Sequence, residues 1–116
     1  MARVLIVDDQ PDTLLLMRVL LERAGYDTAL AADAERACDL LAEGVDAVVV
    51  DIAMAFQEGW TVLRGAAEAA VPVVVASDRA SPAETARAVG EGALSAVTKA
   101  QMTERLLPAV EAALSQ

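Results

Sequence analysis

The feature that most constrains the fold is a series of short, continuous apolar runs separated by longer segments of helical period. The clearest runs lack the alternation of apolar and polar residues that marks a strand with one exposed face. Continuous Val, Ile and Leu instead indicate strands covered on both faces, as in parallel sheets. The runs predict five strands, the second following the helix stop Gly25: Val4–Val7, Thr28–Ala31, Ala47–Val50, Val73–Ala76 and Leu94–Val97.

Between these runs, apolar residues recur at helical spacing. The pattern predicts five helices at about Thr13–Ala24, Ala34–Glu43, Trp60–Ala69, Pro82–Glu91 and Thr103–Leu114. The fourth has a clear start, because Ser81 precedes a proline at the first helical position and Glu84 completes a capping box. The fifth contains Pro108, which we expect to kink the helix or limit its first turn. Five successive βα units predict a single doubly wound α/β domain over residues 1–116.

Composition excludes several classes of function. Nine Lys plus Arg against eighteen Asp plus Glu give a net charge of −9, so we expect no direct binding of nucleic acid. No apolar run is long enough to span a membrane and the N-terminus MARVLIVDD is not a signal peptide, so we expect a cytoplasmic protein without membrane contact. The absence of histidine excludes histidine-based triads and histidine-ligated zinc.

The single cysteine, Cys38, cannot form an intrachain disulfide. It falls with Ala34, Ala37 and Leu41 at helical spacing. We therefore expect Cys38 to be a small core residue rather than a reactive thiol.

Acidic residues follow two of the predicted strands. Asp8 and Asp9 end the first strand, and Asp51 ends the third. The carboxyl ends of parallel strands form the ligand crevice of such folds, so three carboxylates are expected to converge there if the two strands are neighbours. Like charges repel and are costly to bury unpaired. The simplest partner for this cluster is a hard divalent cation with oxygen ligands, most simply Mg²⁺.

Two further strand ends carry chemistry. Ser77 closes the fourth strand and Lys99 follows the fifth. A metal, a carboxylate, a hydroxyl and a lysine are the components that receive a phosphoryl group, with Asp51 as the in-line nucleophile. Taken singly, each residue reads as a turn former or a surface charge. Their joint position at one edge of the sheet is what favours a functional site.

At this point the sequence resembles the response regulator receiver domains of two-component signalling, over nearly the whole chain from Val4 to Leu114. The motifs are IVDDQPD, VVVDIAM followed by Gly59, PVVVAS and GALSAVTK. The resemblance implies a flavodoxin-like (CheY-like) sheet of strand order 2-1-3-4-5. It also implies a signalling domain that catalyses only its own phosphotransfer and dephosphorylation, rather than an enzyme with a released product.

The resemblance implies a role for each site residue. Asp51 corresponds to the phosphoacceptor. Asp8 and Asp9 correspond to the metal-binding acids, with Asp9 the more direct ligand, and the backbone carbonyl of Ala53 completes the protein's share of the Mg²⁺ shell. The remaining two residues act on the phosphoryl group: Ser77 corresponds to the switch hydroxyl and Lys99 to the ion-pair partner.

The resemblance also implies partners. The phosphoryl group would come from a phosphohistidine on a sensor histidine kinase or a histidine phosphotransfer domain. The signal would pass to an output domain or effector protein, or to a second copy of the chain, through the face of helix four, strand five and helix five. Apolar residues exposed on the first helix, such as Leu15 or Val19, would form a docking patch for the kinase.

Four positions depart from the family's pattern. Ala55 and Ala100 replace prolines, and Ala100 predicts a trans peptide bond or a strained loop after Lys99. Ala96 replaces the switching aromatic residue, so the signal would have to pass through the Ser77 loop and helix four. Asp78 follows the switch serine, where the family prefers a small residue; it either adds charge and bulk at the site or points to solvent without effect.

These departures leave an alternative open, a docking module of the same fold that phosphate does not switch. Two other classes fit poorly. The loop DDQPD repels phosphate where a nucleotide site needs glycines or hydroxyls. Ala53 occupies the position at which an aspartyl-phosphate hydrolase of the haloacid dehalogenase type carries its second acid.

Overall fold

The computed structural model describes all residues from 1 to 116 and contains one parallel sheet. Its strand order is β2-β1-β3-β4-β5, as predicted. The strands are β1 (Arg3–Val7), β2 (Asp27–Ala31), β3 (Ala47–Val50), β4 (Val73–Ala76) and β5 (Ala93–Val97). Val7 pairs with Ala31 on one side and with Val50 on the other, and Val50 pairs with Val75. Because these strands end nearly in step, the residues that follow them lie side by side.

Five helices alternate with the strands: α1 (Pro11–Arg23), α2 (Ala34–Glu43), α3 (Glu58–Glu68), α4 (Pro82–Gly90) and α5 (Met102–Leu114). Short 3-10 turns, Ala55–Gln57 and Lys99–Gln101, precede α3 and α5. Every predicted element is present, with bounds that differ by at most two residues. The predicted capping box of α4 is confirmed, because Ser81 and Glu84 each accept a hydrogen bond from the other's backbone N–H.

The helices cover both faces of the sheet. Alternate side chains of the central strands pack against α1 and α5 on one face, with Met17 and Leu106 fully buried there. On the other face they pack against α2, α3 and α4, around Trp60 and Leu63. Strands β3 and β4 are buried along their whole length, which explains their continuous valine runs. None of the helices is both long and apolar enough to cross a bilayer.

Two expectations need comment. The prediction for Cys38 is wrong, because its side chain is exposed. The buried face of α2 is centred on Ala37 and Leu40. Cys38 directly follows Ala37 in the helix, so its side chain points away from that face. Pro108 lies inside α5, beyond its first turn, so it does not limit that turn; whether it kinks the helix stays a prediction. Pro108 lies on the exposed face, where the carbonyl oxygen of Glu104 that it leaves without a donor can bind water.

Candidate phosphorylation site

Two aspartates occupy adjacent positions at the carboxyl edge of the sheet. Asp8 follows β1 and Asp51 follows β3, and these strands are neighbours in register. The backbone N–H of Asp51 continues the ladder by donating to the carbonyl of Val7 at 3.1 Å. Both carboxylates are buried, with 0% and 1% of their residue surface exposed. The sheet therefore brings together two like charges that water does not reach.

Lys99 supplies the compensating charge. Its ammonium nitrogen lies 2.7 Å from Oδ2 of Asp8 and 2.9 Å from Oδ2 of Asp51. It also donates to Oε1 of Gln10 at 3.1 Å, so three oxygen atoms surround the ammonium. Only 12% of the Lys99 side chain is exposed. Lys99 is the only lysine in the chain, and all its polar contacts lie in this site.

Burial and pairing shift two pKa values. Burial raises the pKa of Asp8, and the hydrogen bond from Lys99 only partly opposes that effect. Burial by itself would lower the pKa of Lys99, but its hydrogen bonds to Asp8 and Asp51 and their charges raise it overall. The ammonium therefore keeps its charge well above neutral pH.

Backbone donors orient the two carboxylates. Oδ1 of Asp8 accepts from the backbone N–H of Gln10 at 2.9 Å, and Oδ1 of Asp51 accepts from that of Ala53 at 2.8 Å. The two Oδ2 atoms are thereby left to face the ammonium, and neither has another hydrogen-bond donor. Each carboxylate consequently has free lone pairs directed into the site.

Ser77 lies at the end of β4, where its backbone N–H donates to the carbonyl of Val97 at 3.1 Å. Ser77 is buried, with 8% of its surface exposed, yet its hydroxyl oxygen has no hydrogen-bond partner. A buried hydroxyl without a partner is uncommon and costly. The hydroxyl is therefore available to a group that enters the site.

The acidic cluster fits a divalent cation. Asp8, Asp9 and Asp51 each offer one carboxylate oxygen, and these atoms lie within 4.8 Å of one another. Asp9 is exposed, at the solvent side of the two buried acids. Three carboxylates carry more negative charge than Lys99 alone neutralises, and oxygen ligands are what Mg²⁺ prefers. The donor set therefore suits Mg²⁺, as predicted from the sequence.

Two further residues, Gln10 and Arg79, contact groups of the site. Gln10 contacts both Asp8 and Lys99. The guanidinium of Arg79 lies 3.9 Å from Oδ2 of Asp51 and donates to the carbonyl oxygen of Ala53 at 3.4 Å. Gln10 directly follows Asp9, a predicted metal ligand, and this position is a signal that could have identified it. For Arg79 the family resemblance gives a signal, because phosphate lifetime in this family depends on that position, but its contacts depend on the path of the loop after β4.

The positions that depart from the family's pattern have distinct environments. The chain contains no cis peptide bond, so the first of the two alternatives, a trans bond between Lys99 and Ala100, is the one observed. Ala96 is exposed on β5. Oδ1 of Asp78 accepts a hydrogen bond from the backbone N–H of Ala100 at 3.2 Å. Asp78 is itself exposed, so both interpretations of its effect on the site stay open.

Helix α1 exposes large apolar side chains, as expected. Leu15, Leu16 and Val19 are all exposed, while Met17 and Leu21 of the same helix are fully buried. The exposure of Leu15 and Val19 is confirmed. Their role in docking a kinase stays a prediction.

Known proteins share this sequence pattern. Residues 4–111 match the family model described as response regulator receiver domain. The transcriptional regulatory protein CpxR of Escherichia coli K12 is 32% identical over 82 residues, which is 70% of this chain and 35% of CpxR. The chain thus spans about a third of the length of CpxR. The protein PilH of Pseudomonas aeruginosa is 29% identical over 99% of both chains.

A solved structure shares the fold. The receiver domain protein from Clostridium thermocellum superimposes with a TM-score of 0.91, at 22% identity, over 99% of this chain and 95% of that chain. The family match over residues 4–111, the strand order of the sheet and the acidic cluster all indicate a receiver domain. The chain belongs to the receiver domains of two-component response regulators.

Proposed function

We propose that Asp51 accepts a phosphoryl group from a phosphohistidine on a sensor histidine kinase or a histidine phosphotransfer domain. One observation carries this proposal: the buried carboxylate of Asp51 lies 2.9 Å from the ammonium of Lys99. The same sheet edge holds a buried hydroxyl without a partner. The hydroxyl of Ser77 and the ammonium of Lys99 are donors that can bind the oxygens of a phosphoryl group on Asp51.

In the proposed transfer, an oxygen of Asp51 attacks the phosphorus in line with the bond to the donor imidazole. That P–N bond breaks as the P–O bond forms, and the imidazole leaves with the bonding electron pair. Lys99 neutralises charge on the phosphoryl oxygens, and the hydroxyl of Ser77 donates a hydrogen bond to one of them. Mg²⁺, held by Asp8, Asp9, Asp51 and the carbonyl oxygen of Ala53, would supply further neutralising charge when bound.

The product is an acyl phosphate that water later hydrolyses, so the domain returns to its first state without releasing a processed substrate. The phosphoryl group changes the charge and hydrogen bonding around Ser77. In this proposal that change biases the β4–α4 loop between two positions, which an output domain or effector protein reads. The domain is accordingly a switch rather than an enzyme.

The test is the intact mass of the protein after incubation with acetyl phosphate, in Mg²⁺ and in EDTA. We expect one phosphoryl adduct that forms only with Mg²⁺ and is absent from the variant Asp51→Asn. The matched control is Asp39→Asn, which changes an exposed aspartate on α2 and should leave the adduct unchanged.

The alternative, a docking module that phosphate does not switch, predicts no adduct in any variant although Mg²⁺ binds. A phosphohistidine donor is the second arm of the test, because it supplies the group even where acetyl phosphate reacts slowly. Absence of the adduct from both donors would contradict the proposed function. An adduct that persists in Asp51→Asn would place the acceptor elsewhere.

A further inference from the structure

A side-chain hydrogen bond joins the loop that carries Ser77 to the turn that carries Lys99. It runs from the backbone N–H of Ala100 to Oδ1 of Asp78, 22 residues apart in the chain. Asp78 directly follows Ser77, and Ala100 directly follows Lys99. We call this contact the loop clasp. Each of its ends is therefore one residue from a group of the proposed site.

The clasp exists because position 100 is not a proline. Ala100 retains a backbone N–H that a proline lacks. It lies in the 3-10 turn Lys99–Gln101, whose first N–H groups have no partner within the turn. Neither Thr98 before this turn nor Gln101 before α5 makes a side-chain cap. Asp78 supplies the missing acceptor from the neighbouring loop.

The clasp also brackets Lys99. On its N-terminal side, the ladder between β4 and β5 ends with the bond from the N–H of Ser77 to the carbonyl of Val97. On its C-terminal side, the clasp makes a second link between the same two loops. The backbone of Lys99 is thus held between two crosslinks. Its ammonium must be held accurately, because it contacts both buried acids within 2.9 Å.

We infer that Asp78 is a positioning residue for Lys99: its hydrogen bond to Ala100 holds the ammonium over Asp8 and Asp51 and thereby sets the rate at which Asp51 is phosphorylated. The inference rests on the proposed function. It gives the two departures at positions 78 and 100 one shared role. In this chain a polar crosslink replaces the restraint that a proline would give.

The test separates the hydrogen bond from the charge. In Asp78→Ala the acceptor is lost, whereas in Asp78→Asn the amide oxygen still accepts from Ala100 but the charge is gone. We expect Asp78→Ala to slow phosphorylation by acetyl phosphate about fivefold, the equivalent of about 1 kcal/mol for one net hydrogen bond. Asp78→Asn should react no more slowly than the unaltered chain. Asp39→Ala serves as the control for net charge.

Two readouts do not depend on phosphorylation. Hydrogen exchange at the Ala100 amide should be about fivefold faster in Asp78→Ala than in Asp78→Asn or the unaltered chain. Because Lys99 is the only lysine, its ammonium gives a single ¹⁵N signal in a lysine-labelled sample. We expect that signal to be sharp in the unaltered chain and in Asp78→Asn, and broadened by faster proton exchange in Asp78→Ala.

Equal slowing in Asp78→Asn and Asp78→Ala would assign the effect to charge and overturn the inference. An unchanged rate or an unchanged ammonium signal in Asp78→Ala would overturn it as well. If the unaltered chain accepts no phosphoryl group, the proposed function fails. The exchange and ammonium measurements then still decide whether the clasp holds Lys99.

Discussion

The acidic site and the edge formed by α4 and β5 differ in how deeply the elements that carry them are buried. The residues before Asp8 and Asp51 belong to strands whose side chains are buried from end to end or nearly so. By contrast, α4 buries only Ala88, and β5 buries only Ala93 and Val97. The site is thus an extension of the core, whereas the α4–β5 edge, residues 82–97, is attached to it by few apolar contacts.

Charged side chains compensate for the weak apolar anchoring of the α4–β5 edge. The guanidinium of Arg87 lies 4.2 Å from the ring centroid of Trp60 on α3. Glu91 pairs with both Arg87 on its own segment and Arg64 on α3. Such exposed ion pairs stabilise weakly and reform easily. The strands therefore hold the acidic side chains of the site rigidly, whereas the α4–β5 edge, which is proposed to transmit the signal, can move at low cost in free energy.

The largest expected effect is at the centre of the rigid region. Lys99→Met leaves two buried carboxylates without their cation, so we expect the free energy of unfolding in EDTA to fall by about 3 kcal/mol. Saturating Mg²⁺ should restore much of it, because the metal replaces the missing positive charge. Urea denaturation with and without Mg²⁺ measures both quantities.

The control for that variant is the double change Asp8→Asn with Lys99→Met. Removing one acid removes most of the repulsion, so the double variant should be more stable in EDTA than Lys99→Met alone. If Lys99→Met costs less than about 1 kcal/mol, the site is hydrated rather than an extension of the core, and the contrast with the α4–β5 edge weakens.

A matched pair of glycine changes compares the two regions directly. A Cβ on Gly59 would lie 2.1 Å from the carbonyl oxygen of Asp51 and 2.7 Å from Cα of Ile52. Both are backbone atoms that cannot yield easily, so Gly59→Ala should lower the free energy of unfolding by about 2 kcal/mol. It should also slow phosphorylation, because the backbone of Asp51 must shift.

Gly90→Ala is the counterpart on the α4–β5 edge. Gly90 is the last residue of α4, and nothing lies within 4 Å of a Cβ placed there. The change should therefore raise the free energy of unfolding by about 0.5 kcal/mol through helix propensity. Denaturation of both variants in urea gives the two values. A stabilising Gly59→Ala would remove the asymmetry between the regions.

The contacts that Arg87 of α4 makes with Trp60 of α3 and with Glu91 should contribute less to stability. Arg87→Met removes the cation over Trp60 and one partner of Glu91, and we expect the free energy of unfolding to fall by less than about 1 kcal/mol. The fluorescence of Trp60, the only tryptophan, should nevertheless change, because its covering group is lost. An effect above about 2 kcal/mol would show that the edge is anchored as firmly as the site.

The smallest effect concerns pH. Hydrogen bonds from Arg87 and Arg64 lower the pKa of Glu91 below its ordinary value of 4.5. A depressed carboxyl pKa contributes stability above the ordinary pKa, and this contribution is lost as the pH falls through the lower, folded value. Glu91→Gln should therefore lower stability slightly at neutral pH and not at the acid end. Denaturation at both pH values tests this, and NMR titration of Glu91 measures the pKa itself.

The buried strands could be predicted from the sequence, whereas the contacts between loops could not. Continuous apolar runs indicate burial on both faces, so β1 and β3 and the acids that follow them could be placed from the sequence pattern alone. The partners of Gln10, Asp78 and Arg79 could not, because each contact joins residues whose distance depends on loop paths that no periodicity encodes. The prediction that Cys38 is buried was wrong because adjacent residues of a helix point in different directions. Ala37 faces the core, whereas Cys38 faces the solvent.

The placement of the only lysine and the only cysteine has a practical consequence. Reagents directed at amines find one side chain, and that side chain lies inside the site. Coupling the protein to a surface through lysine would therefore compete with the function under test. Cys38, exposed on α2, gives a single attachment point for a dye or tether outside the acidic cluster. The same thiol can join two copies by a disulfide under oxidising conditions, so measurements of assembly need a reductant.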